Sequence, residues 1–177
     1  MIETERLILR AWSDADREPY ADIMVEPEVG RWLGGPFSRA QAYERVARFQ
    51  ADLAKTGLGR LAIERKADGR LIGHCGLAHA PDTKPVPDGV EIGWALAPDA
   101  WGFGYAAEAA RAVIADGFAR HALSEIIAFT AENNLRSQTV MRRIGMTPDP
   151  RRDFDHPKLA PDHPLRRHVT FVARRPA

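Results

Sequence analysis

Residues 90–110, VEIGWALAPDAWGFGYAAEAA, constrain the fold of this chain more than any other stretch. An apolar run reads as a strand, a turn holding Gly102 and Gly104 follows, and an alanine-rich run of helix formers comes next. The first N–H groups of such a helix lack intrahelical partners and sit at the positive end of the helix dipole. Glycines keep side chains away from those groups, so the turn suits an anion such as a phosphate. The same turn could instead serve only to dock the helix closely on a sheet.

The spacing Gly102, Gly104, Ala107 also fits the dinucleotide pattern G-x-G-x-x-[GA], as an oxidoreductase would carry. Three features oppose that reading. PDAW separates the strand from Gly102, hairpin-like strands precede it, and only one more complete strand–helix–strand unit follows. A P-loop is excluded because no Gly-Lys-Ser/Thr follows.

The flanking segments set the architecture. ERLILRAW reads as an opening strand, and Ser13 caps a helix in SDADREPYADIM. SRAQAYERVARFQADLAKTG is a helix with Tyr43, Val46, Phe49 and Leu53 on one stripe, ending at Gly57. GRLAIER and LIGHCGLAHA form a hairpin through Asp68-Gly69, and PDTKPVPDG is a loop. After the glycine turn come a helix over about residues 104–119, the strand SEIIAFTA, the helix NLRSQTVMRRIG closed by Gly145, and the strand HVTFVAR. Hairpins followed by one strand–helix–strand unit predict an α+β fold, a mixed sheet in a single domain over residues 1–177.

Charge is balanced, 25 Lys+Arg against 24 Asp+Glu, so the concentrated basic face of a nucleic-acid binder is not expected. Cys75 is the one cysteine, which fits a reducing, cytoplasmic location. No apolar run reaches the roughly 20 residues of a membrane span.

Alternation along the central strand puts Val90, Ile92, Trp94 and Leu96 on one face and Glu91, Gly93, Ala95 and Ala97 on the other. A carboxylate beside three small residues resembles a groove with one acid at its end. Glu91 is therefore a candidate general base acting through water, with an idle exposed glutamate as the alternative. His156, His163 and His168 lie among Asp153, Asp155 and Asp162, but at no compact metal-ligand spacing, and Pro157, Pro161 and Pro164 break any aligning helix. No metal is expected, although one of these histidines could face a substrate; His74 reads as a satisfied strand histidine. The arginine pairs Arg142-Arg143, Arg151-Arg152 and Arg166-Arg167 read as solvated surface.

The stretch EIGWALAPDAWGFGYAAEAARAVIADGFAR, together with ENNLRSQTVMRRIGM, resembles the GNAT superfamily of acetyl-CoA-dependent N-acetyltransferases. W-G-x-G-Y-A-x-E-A and the opening TERLILR look like its RimJ/RimL ribosomal-protein branch. The resemblance implies a GNAT fold, a mostly antiparallel mixed sheet of about six to seven strands flanked by helices. It also implies a pyrophosphate loop [QR]-x-x-G-x-[GA] falling on Trp101, Gly104 and Ala106, with Gly102, Phe103, Tyr105 and Ala107 as neighbouring main-chain contacts. Trp101 departs from the Gln or Arg of that pattern. Leu96, with Trp94 and Ala95, would meet the pantetheine arm and polarise the thioester through a main-chain N–H. Asn134 would hold the cofactor arm or simply cap a helix, and Asn133 could exchange roles with it.

Many members of the family place a tyrosine acid four residues before the final glycine, where this chain has Met141. Ser137, one turn earlier, is the nearest protic group, or else a hydroxyl bonded to its own helix. GRWLGGPFS, with Trp32, falls where the family places substrate-facing loops. The implied acceptor is a primary amine, either a protein N-terminal α-amine or a small molecule, and the implied assembly is a monomer or homodimer. An acyl-CoA-binding regulatory module without catalysis is the alternative that Met141 keeps open.

Overall fold

The longest helix starts where the sequence caps itself. The Ser38 hydroxyl accepts the N–H of Gln41, and the Gln41 side chain accepts the N–H of Ser38, starting α3 (Arg39–Thr56). Gly57, with φ 75°, ends it in the left-handed region. The computed structural model describes residues 1–80 and 85–176, so the loop expected at residues 81–89 lies partly outside the described residues.

Before α3 come β1 (Ile2–Glu3), β2 (Leu7–Arg10), α1 (Arg17–Val25) and the short α2 (Pro27–Gly30). After it come β3 (Arg60–Arg65), β4 (Arg70–His79), β5 (Val90–Leu96), α4 (Tyr105–Arg120) and β6 (Glu125–Ala131). The chain continues through α5 (Leu135–Arg143), β7 (Thr147–Pro148), β8 (Phe154–Asp155) and β9 (Arg167–Arg174).

Among the described residues nine strands form one sheet in the order β1-β2-β3-β4-β5-β6-β9-β7, with β8 also on β9. The count exceeds the expected six or seven because β1, β7 and β8 are two residues long, too short to leave a periodic pattern. Pro27 at the first turn of α2 was likewise too local a signal to separate that helix from α1.

All recorded pairings are antiparallel except that of β5 with β6. That parallel pairing is recorded only at Glu91↔Ile127, whereas β4 and β5 pair without a register shift from Val90 to Leu96. β5 thus parts from β6 beyond Glu91, and the sheet opens there. An antiparallel neighbour on β5 also removes the dinucleotide alternative, which needs parallel strands around its turn.

Helices cover both faces. On one, Tyr20 of α1 and Phe49 of α3 pack on His74, with ring centroids at 5.7 and 5.2 Å. On the other, α4 approaches so closely that a Cβ at Gly117 would lie 2.7 Å from Leu77 Cδ1 and 3.1 Å from Ile126 Cδ1. His74 and Leu77 are three residues apart in β4, hence on opposite faces. Among the described residues no helix is long and apolar enough to cross a membrane.

The opening segment is tied to the start of α4 through Glu108. Its Oε1 accepts the Thr4 hydroxyl at 2.6 Å and the Arg6 N–H at 2.9 Å, and its Oε2 accepts Arg6 Nε at 2.7 Å. Arg6 Nη1 also donates to the Phe103 carbonyl at 3.0 Å. Burial pushes the Glu108 carboxyl up, but the Thr4 and Arg6 donors outweigh it and hold the group below its ordinary value. Its stabilisation is therefore complete above the ordinary carboxylate range and lost as pH falls through the lowered value.

Thr4→Val and Glu108→Gln should each destabilise the fold by about 1–2 kcal/mol in urea titrations. The double variant should lose less than the sum, because the two side chains share one bond. Glu108→Gln should also lose less stability than the parent chain on acidification below about pH 4, which a pH series of unfolding midpoints would show.

Candidate functional site

A cleft of about 900 Å³ lies where β5 parts from β6. Its apex is built by a side chain that crosses three strands. Arg60, Gly76 and Gly93 are cross-strand neighbours in β3, β4 and β5. With no side chain at either glycine, Arg60 extends over both; a Cβ at Gly93 would stand 2.9 Å from the guanidinium carbon. The guanidinium donates to the Gly76 carbonyl and to Glu91 Oε1. Trp12 Nε1 holds the Arg60 carbonyl at 2.6 Å.

Glu91 and Gly93 therefore share one face, as strand alternation predicts. The carboxylate is not the solitary acid of that reading, because it is one half of a buried pair whose side chains are 10% and 18% exposed. Burial raises the Glu91 carboxyl above its ordinary value, and the Arg60 charge opposes the rise without cancelling it. His74, beside this pair, is buried with Nδ1 3.0 Å from the Tyr20 hydroxyl. Burial first, then the charges of Arg45 and Arg60, push its pKa well down and keep the ring neutral.

The open edge of β5 presents main-chain donors. The Ala97 N–H donates to the Ile72 carbonyl at 2.9 Å, and Ala80 donates to Gly89 at 2.8 Å at the far end of the same ladder. N–H groups alternate sides along a strand, so those of Glu91, Gly93 and Ala95 face β4, while those of Trp94 and Leu96 face the open edge. Ala95 thus lines the cleft with its side chain and spends its N–H on β4, a correction to its expected main-chain role. The Leu96 carbonyl accepts Trp101 Nε1 at 2.9 Å, which anchors the glycine turn to the strand end.

In the turn, Gly102 and Gly104 adopt φ 85° and 83°, the left-handed region that glycine enters freely. Gly104 caps α4 and has no side chain to occupy the first N–H groups of the helix. Trp101, Gly102, Gly104, Tyr105, Ala106 and Ala107 all line the cleft. Phe103 does not: its ring is 59% exposed, stacks on Tyr105 at 5.8 Å, and its carbonyl is held by Arg6. Arg136, absent from the sequence reading, lies with its guanidinium 4.7 Å from the centre of the Trp101 ring.

On α5, Asn134 is a cap and more. Its Oδ1 accepts the Ser137 N–H at 3.3 Å and its Nδ2 donates to Thr130 Oγ1 at 3.0 Å. One amide hydrogen and one lone pair are left over, directed from a residue that lines the cleft. Asn133 instead donates to the Pro164 carbonyl. Ser137 and Met141, one turn apart, both line the cleft, with Met141 buried.

Trp32, under the Arg31 guanidinium at 5.1 Å, forms the opposite wall. His156 and His168, with ring centroids 5.1 Å apart, line it from the tail, whereas His163 does not. Of the arginine pairs only Arg143 reaches the cleft; Arg151, Arg152, Arg166 and Arg167 are paired with carboxylates. Arg60, Arg45 and Arg136 were missed because their signal is spatial: Arg60 and Arg136 sit far along the chain from Glu91 and Trp101, and Arg45 reaches the cleft only through the packing of α3.

Residues 6–147 match the Acetyltransferase (GNAT) domain family. The chain is 33% identical to the uncharacterized N-acetyltransferase YoaA of Bacillus subtilis (strain 168), over 82% of this chain and 81% of that one. It is 30% identical to the FsC-acetyl coenzyme A-N(2)-transacetylase of Aspergillus fumigatus over 82% of its own length, spanning 64% of that relative. The acetyltransferase from Agrobacterium tumefaciens str. C58 superposes with a TM-score of 0.80 at 29% identity, over 98% of this chain and 94% of that one. RimL, a ribosomal L7/L12 alpha-N-protein acetyltransferase in complex with coenzyme A, shares the fold at a TM-score of 0.78 and 16% identity, over 97% and 95%. With the glycine turn opening α4 on the parted edge of β5, these matches place the chain in the GNAT acetyltransferase family, as an acetyl-CoA-dependent acyltransferase.

Proposed function

We propose that this chain moves the acetyl group of acetyl-CoA directly to a primary amine, in the manner of the RimJ/RimL-like branch. One observation carries the reading: the glycine turn, the donor edge of β5 and Glu91 line a single cleft in that order. The W-G-x-G-Y-A-x-E-A motif and the fold shared with RimL support the branch. The continuous sheet from Ile2 to Arg174 supports reading residues 1–177 as one catalytic unit.

The residues present fit acetyl-CoA. Main-chain donors at Tyr105, Ala106 and Ala107, at the positive end of α4, suit the pyrophosphate, with Gly102 and Gly104 leaving room. Trp101 stands where the family pattern has Gln or Arg, and Arg136 stacked on its ring returns a positive charge to that place. The Trp94 and Leu96 N–H groups would meet the pantetheine arm and polarise the thioester carbonyl, and Asn134 would steady the arm.

In the transfer, the amine nitrogen bonds to the thioester carbon, the C–S bond breaks, and coenzyme A leaves as its thiolate. The proton lost by the amine passes through water to Glu91, which Arg60 holds in place. Ser137 is the protic group on α5 nearest to the place that Met141 occupies, and it would return a proton to the thiolate. Trp32 would flank the acceptor. An α-amine, with a pKa near 7.7–8.0, gives up its proton more readily than a lysine at about 10.4. The same Met141 favours a second reading, an acyl-CoA-binding module without turnover; acetyl-CoA binding with no acetylation across an amine panel would establish it.

Acetyl-CoA at 100 times its dissociation constant should stabilise the fold by about 2.7 kcal/mol in thermal unfolding, and NAD and NADP should not. Gly104→Glu should abolish that shift by putting a carboxylate where a phosphate sits. Gly104→Asn, which tolerates the left-handed region, should keep much of it; equal loss in both would trace the effect to strain rather than charge.

A base acts only when deprotonated, so the acidic limb of kcat/KM should lie above the ordinary carboxylate value of 4.5. Glu91→Gln should lower kcat about a hundredfold and erase that limb, while the acetyl-CoA shift persists. An unchanged pH profile would remove Glu91 as the base.

A further inference from the structure

The acceptor side of the cleft carries a second arginine that the transfer step leaves without a task. Arg45, on α3, lines the cleft together with Trp32, Arg60, His74 and Glu91. Its guanidinium is wedged against two aromatic rings, 4.8 Å from the centre of Phe37 and 5.6 Å from that of Phe49. Its Nε is buried and has no hydrogen-bond partner. Among the described residues no carboxylate stands within ion-pair distance of it, whereas Arg39, on the same helix, pairs with both Glu18 and Asp22.

Arg45 is half-buried, with its Nε shielded and the rest of the guanidinium open to the cleft. A partly desolvated charge without a counterion is costly, and aromatic contacts return only part of that cost. The neighbourhood offers a neutral polar partner, the Tyr20 hydroxyl, but no counter-charge. Glu91 is already committed to Arg60, and His74, kept neutral by burial and by both arginines, adds no negative charge. Glu28, the remaining carboxylate of the cleft, sits exposed at its rim. A ligand that brings its own anion completes such a site, and the planar fork of arginine suits a carboxylate.

We infer that the acceptor is a primary amine that also carries a carboxylate, bound by Arg45 while the amine lies toward Glu91. This rests on the acetyl-transfer reading and narrows it. Two sources share the chemistry: a free amino acid, through its α-carboxylate, and a polypeptide whose N-terminal residue is acidic. In either case Glu28 at the rim draws the protonated amine inward as Arg45 draws the carboxylate.

The test compares matched acceptors with one charge changed. One arm sets free amino acids against their α-amides; the other sets peptides beginning with Asp or Glu against those beginning with Asn or Gln. The native chain should favour the carboxylate member roughly ten- to a hundredfold in kcat/KM, chiefly through KM, in the arm that holds the true source. Arg45→Met, which keeps an apolar stem against Phe37 and Phe49, should bring the ratio near one. Arg45→Lys, which keeps the charge but loses the fork, should retain part of it, and it tests the same point if the methionine variant fails to fold.

The acetyl-CoA thermal shift reports on the fold and cofactor site of each variant. Equal rates for acids and amides in both arms would overturn the inference and leave the acetyl-transfer reading standing. A preference that survives both substitutions would do the same. Acetyl-CoA binding with no acceptor acetylated at all would overturn the two together.

Discussion

The guanidinium of Arg60 crosses the backbones of β4 and β5 before it reaches a carboxylate, and the cleft is organised around that path. Space for it exists because Gly76 and Gly93 stand side by side in the ladder; any side chain at Gly93 would collide with the guanidinium. Its end point, Glu91, is the position at which β5 makes its recorded pairing with β6 before the strands part. Removing one partner of a buried pair typically costs about 3–5 kcal/mol, so Arg60 and Glu91 hold each other in place. The carboxylate that faces the cleft is thereby fixed in position and still raised in pKa by burial.

The cofactor side has a comparable brace outside the sheet. Glu108 belongs to the motif that follows the glycine turn, yet its carboxylate faces Thr4 and Arg6. Arg6 reaches on to the Phe103 carbonyl and lies over the Tyr105 ring at 4.7 Å. The short connection between β1 and β2 therefore stiffens a turn about a hundred residues away, and that turn can offer its N–H groups without rearranging. Trp101 does similar work from the other end by bonding to the Leu96 carbonyl, which ties the turn to the end of β5.

Much of this was legible in one dimension. The glycine turn, the apolar stripe of α3 with its stop at Gly57, the hairpin at Asp68-Gly69 and the alternation of β5 are local patterns, set by backbone sterics and by periodicities of two and 3.6. Three kinds of feature were not legible. Two-residue strands such as β7 and β8 form only because β9 offers its edge. The Ala95 N–H could be assigned to β4 only once the parity of the ladder was known. Phe103 reads as part of the loop but turns its ring outward.

The sequence by itself determined the class of fold, the succession of strand, glycine turn and helix, and the face on which Glu91 lies, because each follows from the order of neighbouring residues. Tertiary structure decided which charges meet. Arg60 is 31 residues from Glu91, and Arg136 lies 35 positions beyond Trp101, yet each pair is in contact. Arg45 reaches the same cleft from a helix that reads, in sequence, as an ordinary amphipathic one. Contacts of this kind depend on how sheet and helices close around a parted pair of strands, and no local periodicity encodes that closure.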